Sequence, residues 1–122
     1  MISQPLQTET HINQGVAVVS LRGDIDGGAE AALQTAYNAA TLQGAGPVLL
    51  NFGSVGYINS TGIALIVGLL ARARKEHRQL LACGLSDHYQ EIFEITRLSD
   101  FMTTYADETT AGEGQVVCPE PL

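Results

Sequence analysis

The order of apolar and polar residues predicts an N-terminal hairpin followed by alternating helices and strands. Residues 6–12 alternate partially, residues 16–21 form a β-branched apolar run, and the turn residues Asn13-Gln14-Gly15 lie between them. Two short strands joined by such a turn are typical of a β-hairpin. Residues 29–42 are rich in alanine and carry apolar side chains at helical intervals, so they predict the first helix.

The same alternation continues through the second half of the chain. Residues 48–52 form a nearly continuous apolar run, which is typical of a strand buried on both faces. Residues 60–74 carry apolar side chains all round, so we expect the rest of the fold to cover this helix heavily. The remaining predicted elements are a strand at 79–83, a short helix at 87–95 capped by Ser86 or Asp87, and a last strand within 101–105.

This order of elements predicts a single α/β domain. The sheet is expected to be mixed, with an antiparallel N-terminal hairpin and parallel later strands covered by helices, because the connections between the later strands are long enough to force parallel pairing. Functional loops of such sheets collect at the carboxyl ends of the parallel strands. The loops expected at residues 23–28 and 53–59 both follow strands, so both belong to that end.

Length and composition limit the classes of function. A chain of 122 residues fits one domain, which we place at residues 1–108, followed by a loosely held tail at 109–122. The net charge of −7 argues against direct nucleic-acid binding. The chain has neither an apolar run near the ~20 residues of a membrane span nor the pattern of a signal peptide. We therefore expect a cytoplasmic protein that is not embedded in a membrane.

The junction at residues 57–66 carries the clearest functional signal, because hydroxyl side chains lie where an apolar helix begins. The first turn of a helix has N–H groups without helical partners and the positive end of the helix dipole, so a phosphate formed there would be stabilised. Ser60 can also be interpreted as an ordinary helix cap. However, Asn59, Ser60 and Thr61 exceed the need for one cap, and Gly62 costs about 1 kcal/mol in a helix. These features predict a switch and a partner surface to which Gly62 offers its bare backbone.

Other kinds of site are not supported by the spacing of chemically active residues. The nucleophile elbow of hydrolases needs Gly-x-Ser-x-Gly, whereas Ser60 has Ile58 and Gly62 at those positions. The segment Gly53-Ser54-Val55-Gly56 lacks the lysine of a phosphate-binding loop and is expected to be a flexible loop. The histidines and cysteines show no metal-ligand spacing. We expect no catalytic residue, metal or cofactor, and the basic run at 72–78 is either a helix-end cap or a small anion-binding patch.

Three segments together resemble a known family. Leu21-Arg22-Gly23-Asp24-Ile25-Asp26 is similar to its Gly-acidic-Leu/Ile-Asp element, and residues 48–52 are similar to its central strand. Ile58-Asn59-Ser60-Thr61-Gly62-Ile63-Ala64 resembles its Asp-Ser-Ser/Thr-Gly-Leu-Gly phosphorylation motif. The chain thus resembles the STAS domain family over about residues 5–108, and within that family the bacterial anti-sigma factor antagonists, also called anti-anti-sigma factors.

The resemblance implies a signalling protein that binds partners and is not an enzyme. Ser60 aligns with the serine that an anti-sigma factor with serine kinase activity phosphorylates, and Thr61 is the alternative acceptor. The unmodified domain would bind the kinase and free a sigma factor, phosphorylation would release it, and a serine phosphatase would reset it. The implied partner-binding residues are Asp24, Asp26, Asn59, Ser60, Thr61 and Gly62. A monomer or weak dimer is expected.

The sequence departs from the family pattern at two places. Asn59 stands where the best-studied antagonists carry Asp, and the final helix of the family is replaced by a glycine-bearing region at 109–114. Both departures bear on the choice of partner. The alternative function is a constitutive STAS adaptor or scaffold subunit, either stressosome-like or associated with a lipid transporter, in which Ser60 only caps the helix.

Overall fold

The computed structural model describes residues 5–13, 15–44 and 46–105. The strands are β1 (Gln7–Asn13), β2 (Val16–Ile25), β3 (Val48–Ile58), β4 (Leu80–Cys83) and β5 (Thr104–Tyr105), and the α-helices are α1 (Glu30–Thr41), α2 (Ser60–Lys75) and α3 (Asp87–Ile95). Two short 3-10 helices span Gly27–Ala29 and Leu98–Asp100. The predicted order of elements is confirmed. The predicted tail at 109–122 lies outside the described residues.

The five strands form one mixed sheet in the order β1-β2-β3-β4-β5. β1 pairs with β2 in antiparallel fashion, and β2, β3, β4 and β5 are parallel to one another. The predicted mixed sheet with an antiparallel hairpin is therefore confirmed. Each connection between parallel strands contains an α-helix, so the carboxyl ends of β2, β3 and β4 lie at one edge of the sheet.

The α-helices pack against one face of this sheet. The buried side chains of α1, α2 and α3 all belong to one apolar cluster, which also contains alternate residues of β2, β3 and β4. Within it, the rings of Phe52 and Phe93 meet edge to face with their centroids 5.9 Å apart. A smaller cluster lies on the opposite face and contains Val18, Leu49 and Cys83.

Strands β2 and β3 are longer than the sequence predicts, and this changes the nature of two expected loops. Their pairing continues from Arg22 opposite Ser54 to Ile25 opposite Ile58, with shifts of register along the way. Gly23 has φ of +110°, a conformation that L side chains rarely adopt. Residues 23–25 and 53–58 are therefore strand, and the prediction that residues 53–56 form a flexible loop is wrong.

Helix α2 is covered on one side only, so the prediction of heavy covering is also wrong. Its buried residues, which include Ile66, Leu69 and Leu70, face the sheet and its neighbouring helices. Its other side is open, and 45% of Val67 is exposed. The apolar residues all round the helix therefore do not mean that it is buried all round.

A polar contact joins α1 to the end of α2. The buried Tyr37 donates a hydrogen bond from its Oη to Oε1 of Glu76 at 2.9 Å, and the guanidinium of Arg72 lies 4.6 Å from the centre of the Tyr37 ring. Arg72 also bonds Glu76, Gln34 and Asn38, which lie on both helices or their ends. Burial and the hydrogen bond to Glu76 raise the pKa of Tyr37 to about 12.

Candidate functional site

The ends of β2 and β3 bring the two sequence-predicted segments together. Ile25 is paired with Ile58, and the N–H of Asn59 donates to the carbonyl oxygen of Ile25 at 3.2 Å. Two residues further along each segment, a Cβ added to Gly27 would lie 3.5 Å from the methyl carbon of Thr61. The segment with Asp24 and Asp26 therefore borders the start of α2, as the parallel strand order predicts.

The helix is capped by Asn59 and not by Ser60. Asn59 has an extended backbone, and its Oδ1 accepts a hydrogen bond from the N–H of Gly62 at 2.8 Å. Its carbonyl oxygen accepts the next N–H, that of Ile63, at 2.9 Å. The interpretation of Ser60 as the cap is therefore wrong, because the residue before it already fills that role.

Ser60 is the first residue of α2, and it is exposed. Among the described residues, no hydrogen-bond partner is found for its hydroxyl, or for the N–H groups of Ser60 and Thr61. These N–H groups lie at the positive end of the helix dipole, and no acidic residue lies in the first turn. A phosphate on the Ser60 oxygen would thus form beside unused donors, which is a favourable position for an anion.

Asp24 and Asp26 differ in their positions at the edge of the site. Asp26 caps the 3-10 helix Gly27–Ala29, and its Oδ1 accepts the N–H of Gly28 at 2.9 Å. Asp24 is still within β2, opposite Tyr57, and a Cβ on Gly56 would come within 3.3 Å of its Oδ1. Both residues are half-buried, and the backbone N–H of Gly28 holds the carboxylate of Asp26 in place.

Gly62 serves the interior of the domain and does not offer its backbone to a partner. It is buried, and an added Cβ would overlap the carbonyl oxygen of Ile25 and lie 2.7 Å from the carbonyl carbon. The prediction that Gly62 exposes bare backbone is therefore wrong. Its missing side chain instead lets the start of α2 approach β2 closely.

Two tyrosines that the sequence analysis did not single out contribute to the site. Oη of Tyr89 on α3 accepts the N–H of Ile58 at 2.9 Å and so fixes the last residue of β3. Tyr57 precedes Ile58 in β3, and 55% of its surface is exposed. Exposed tyrosines are frequent energetic centres of protein interfaces. The sequence signal for Tyr57 is its place beside the predicted phosphorylation motif.

Comparisons with known proteins agree with this geometry. The STAS domain family model matches residues 7–111. A curated protein of Staphylococcus aureus, named anti-sigma-B factor antagonist, is 30% identical over 97 residues, which cover 80% of this chain and 90% of that protein. The chain therefore belongs to the STAS domain family.

Solved structures show the same fold. The crystal structure of an anti-sigma factor antagonist from Mycobacterium paratuberculosis matches with a TM-score of 0.74 at 20% identity, covering 91% of this chain and 93% of the other. SpoIIAA matches in its unphosphorylated form with a TM-score of 0.66 at 18% identity, covering 91% and 96% of the two chains. The phosphorylated form of SpoIIAA, from Bacillus, matches with a TM-score of 0.64 at 20% identity, covering 88% and 97%.

The described part of the chain contains no helix that is both long and apolar enough to cross a membrane. The same residues include no cluster of three or more His, Cys, Asp or Glu side chains that could hold a metal ion.

Proposed function

We propose that this chain is an anti-sigma factor antagonist whose binding is switched off by phosphorylation of Ser60. The observation that carries the proposal is the position of the Ser60 hydroxyl, which is exposed, has no capping role, and lies beside unused N–H donors. The matched relative is named an antagonist of anti-sigma-B factor, and SpoIIAA has been solved in phosphorylated and unphosphorylated forms. Both facts support a regulated binding protein without enzymatic activity.

The proposed partner is an anti-sigma factor with serine kinase activity that binds around Ser60. The contact surface would contain Asp24, Asp26, Ser60 and Thr61, with Tyr57 as an added aromatic contact. Asn59 and Gly62 act through positioning, since one caps α2 and the other lets α2 approach β2. A cytoplasmic location and a serine phosphatase that removes the phosphate belong to the same proposal.

Phosphorylation would change the affinity for the partner more than the structure of the domain. A phosphoserine adds about −1.5 to −2 charges, which the free N–H groups and the helix dipole at this position can accommodate. The same charge lies next to the carboxylates of Asp24 and Asp26, and it occupies space that the partner needs. The phosphate would therefore block the close contact of the partner with Ser60, and binding would weaken.

The alternative is a constitutive STAS adaptor or scaffold subunit that needs no switch. In that interpretation Ser60 would serve only as a helix cap. The cap provided by Asn59 supports the switch over the adaptor, because the Ser60 hydroxyl then has no structural task.

The test compares the affinity of the anti-sigma factor for the unmodified chain and for the chain with phosphoserine at position 60. We expect the phosphorylated chain to bind at least tenfold more weakly, which is about 1.4 kcal/mol. Ser60→Ala should bind without becoming phosphorylated, and Thr61→Val is the matched control that should still be phosphorylated. Equal affinity of the two forms would favour the constitutive adaptor. Incorporation of phosphate into Ser60→Ala would indicate that Thr61 is the phosphorylated residue.

A further inference from the structure

A groove of about 300 Å³ lies at the end of the sheet opposite Ser60. It opens where α2 ends and β4 begins, and its lining includes Arg74, Arg78, Gln79, Asp100, Phe101 and Thr103. Four of the six lysines and arginines of the chain lie in residues 72–78, although the net charge is −7. Two of these four cations, Arg74 and Arg78, line the groove.

Arg74 presents an unpaired cation next to an open aromatic ring. Its guanidinium lies 4.7 Å from the centre of the Phe101 ring, and 55% of Phe101 remains exposed. The guanidinium of Arg74 forms no hydrogen bond or ion pair in the described part of the chain. A guanidinium stacked in this way keeps its donors in the plane of the fork, where they can meet a carboxylate or phosphate.

Arg78 places a second guanidinium in the wall of the groove. Its Nη1 donates to the carbonyl oxygens of Gly44 at 2.8 Å and Gly46 at 2.6 Å, which holds the side chain in one position. Its Nε is buried and has no hydrogen-bond partner among the residues that the structure describes. Because both acceptors are neutral carbonyls, they do not cancel the charge of Arg78.

Among the described residues, Asp100 is the carboxylate that lines the groove. Its Oδ2 contacts Nη1 of Arg97 at 3.3 Å, an exposed ion pair that offsets part of its negative charge. Arg72, Arg74 and Lys75 lie in the last turn of α2, where the helix dipole favours cations. Arg72 is also bonded to side chains of α1 and to Glu76, and Nη1 of Arg78 is bonded to carbonyls of the loop after α1. The guanidinium of Arg74, in contrast, contacts only the exposed ring of Phe101 among the described residues.

We propose that this groove binds a small organic anion in which a carboxylate or phosphate adjoins a planar apolar group. The anionic group lies against the guanidinium of Arg74, the charge of Arg78 strengthens the attraction, and the planar group rests on the exposed part of Phe101. The volume is at the lower end of that of ligand sites, so the ligand is small. This site is separate from Ser60 and does not depend on the function proposed above.

The experiment is a nuclear magnetic resonance titration of the full-length, isotope-labelled chain with benzoate and with phenyl phosphate. We expect saturable shifts at the backbone amides of Gln79 and Thr103 and at Nε of Arg74. Inorganic phosphate, which has no ring, and phenol, which has no charge at neutral pH, should each bind at least tenfold more weakly. The comparison of benzoate with phenyl phosphate tells which anionic group the groove prefers.

Variants distinguish specific binding in the groove from nonspecific electrostatic attraction of anions. Arg74→Gln and Phe101→Leu should each weaken binding at least tenfold, whereas Lys75→Gln removes one charge from the same helix end outside the groove and should leave binding within twofold. Arg74→Lys keeps the charge but loses the planar fork, so it should bind with intermediate strength. The proposal is wrong if no titration saturates, if inorganic phosphate binds as well as phenyl phosphate, or if Lys75→Gln matches Arg74→Gln.

Discussion

Gly62 and Ile25 are in such close contact that the start of α2 has no room for a side chain against β2. An added Cβ at Gly62 would lie 2.7 Å from the carbonyl carbon of Ile25 and 3.0 Å from its Cγ2. The same carbonyl group accepts the N–H of Asn59, so it cannot easily move away. The geometry of the Ser60 site therefore depends on a residue that no partner needs to touch.

Gly62→Ala should destabilise the domain, in contrast to what helix propensity alone predicts. Overpacking against a fixed backbone typically costs about 1–3 kcal/mol, which exceeds the gain of up to ~1 kcal/mol from replacing a helical glycine. Gly68→Ala is the matched control in the same helix, since no described residue comes within 4 Å of its added Cβ. Denaturant unfolding of both variants checks this. Equal stabilisation of the two would contradict the tight contact with Ile25.

Removing the side chain of Asn59 should cost more stability than removing that of Ser60. Asn59→Ala loses the bond to the N–H of Gly62 and should lower the free energy of unfolding by about 1 kcal/mol. Ser60→Ala should change it by less than ~0.5 kcal/mol, because its hydroxyl caps nothing. Thermal melts of the two variants give the comparison. A larger loss of stability in Ser60→Ala than in Asn59→Ala would show that Ser60 caps the helix.

Asn59→Asp should keep the fold and change the rate at which Ser60 is phosphorylated. A carboxylate caps a helix as well as an amide does, and it is favoured by the dipole. It also adds a negative charge next to the phosphoacceptor. Phosphorylation rates of the unaltered chain and of Asn59→Asp, measured with the same kinase, test this prediction. Identical rates would mean that Asn in place of Asp at position 59 does not affect phosphorylation.

Asp26→Asn should slow association with the anti-sigma factor while preserving the fold. The amide keeps an oxygen for the N–H of Gly28 but removes the charge, so the local backbone is retained. A change in a charge at the rim of an interface acts mainly on the association rate and its dependence on salt. Glu94→Asn, on the exposed surface of α3, is the control that should not slow association. An unchanged association rate in Asp26→Asn would show that Asp26 does not belong to the partner-binding surface.

The stability of the domain should fall at alkaline pH because of Tyr37. Its pKa is raised from 10.0 to about 12 by burial and by the hydrogen bond to Glu76. A group whose pKa is higher in the folded than in the unfolded state stabilises the fold at a pH below the unfolded-state pKa. This stabilisation is lost as the pH rises to the folded-state pKa. The free energy of unfolding should therefore decrease between pH 10 and 12, by up to ~1.4 kcal/mol per pH unit.

Tyr37→Phe tests this pH dependence. The variant cannot ionise at position 37, so its stability should decline less over the same pH range. Denaturant unfolding at several alkaline pH values gives the slopes, and ultraviolet difference absorbance follows the tyrosinate directly. Parallel slopes in the two proteins would mean that Tyr37 ionises equally easily in the folded and unfolded states.

Periodicity was sufficient to predict the order of elements and the sheet. Alternation in β1, the β-branched run at the start of β2, and the apolar run at the start of β3 are local signals, and each was interpreted correctly. Where the strands end could not be predicted in this way. Gly53, Ser54 and Gly56 favour a loop by composition, but pairing with the end of β2 keeps them extended.

The candidate site was located by its motif, but the roles within it depend on tertiary contacts. A sequence does not show whether Asn59 or Ser60 is the cap, because both residue types cap well. The burial of Gly62 depends on the carbonyl group of Ile25, which is 37 positions away in the chain. The bond from Ile58 to Tyr89 likewise joins residues that no local pattern connects.

The order of the strands in the sheet is also their order along the chain. During synthesis, each new strand can thus be added to the open edge of those already made, without waiting for a distant partner. The segments that form the Ser60 site, from the end of β2 to the start of α2, leave the ribosome before β4 and α3. The segments of the surface that would meet the regulator are therefore synthesised first, and Tyr89 arrives later to secure the end of β3.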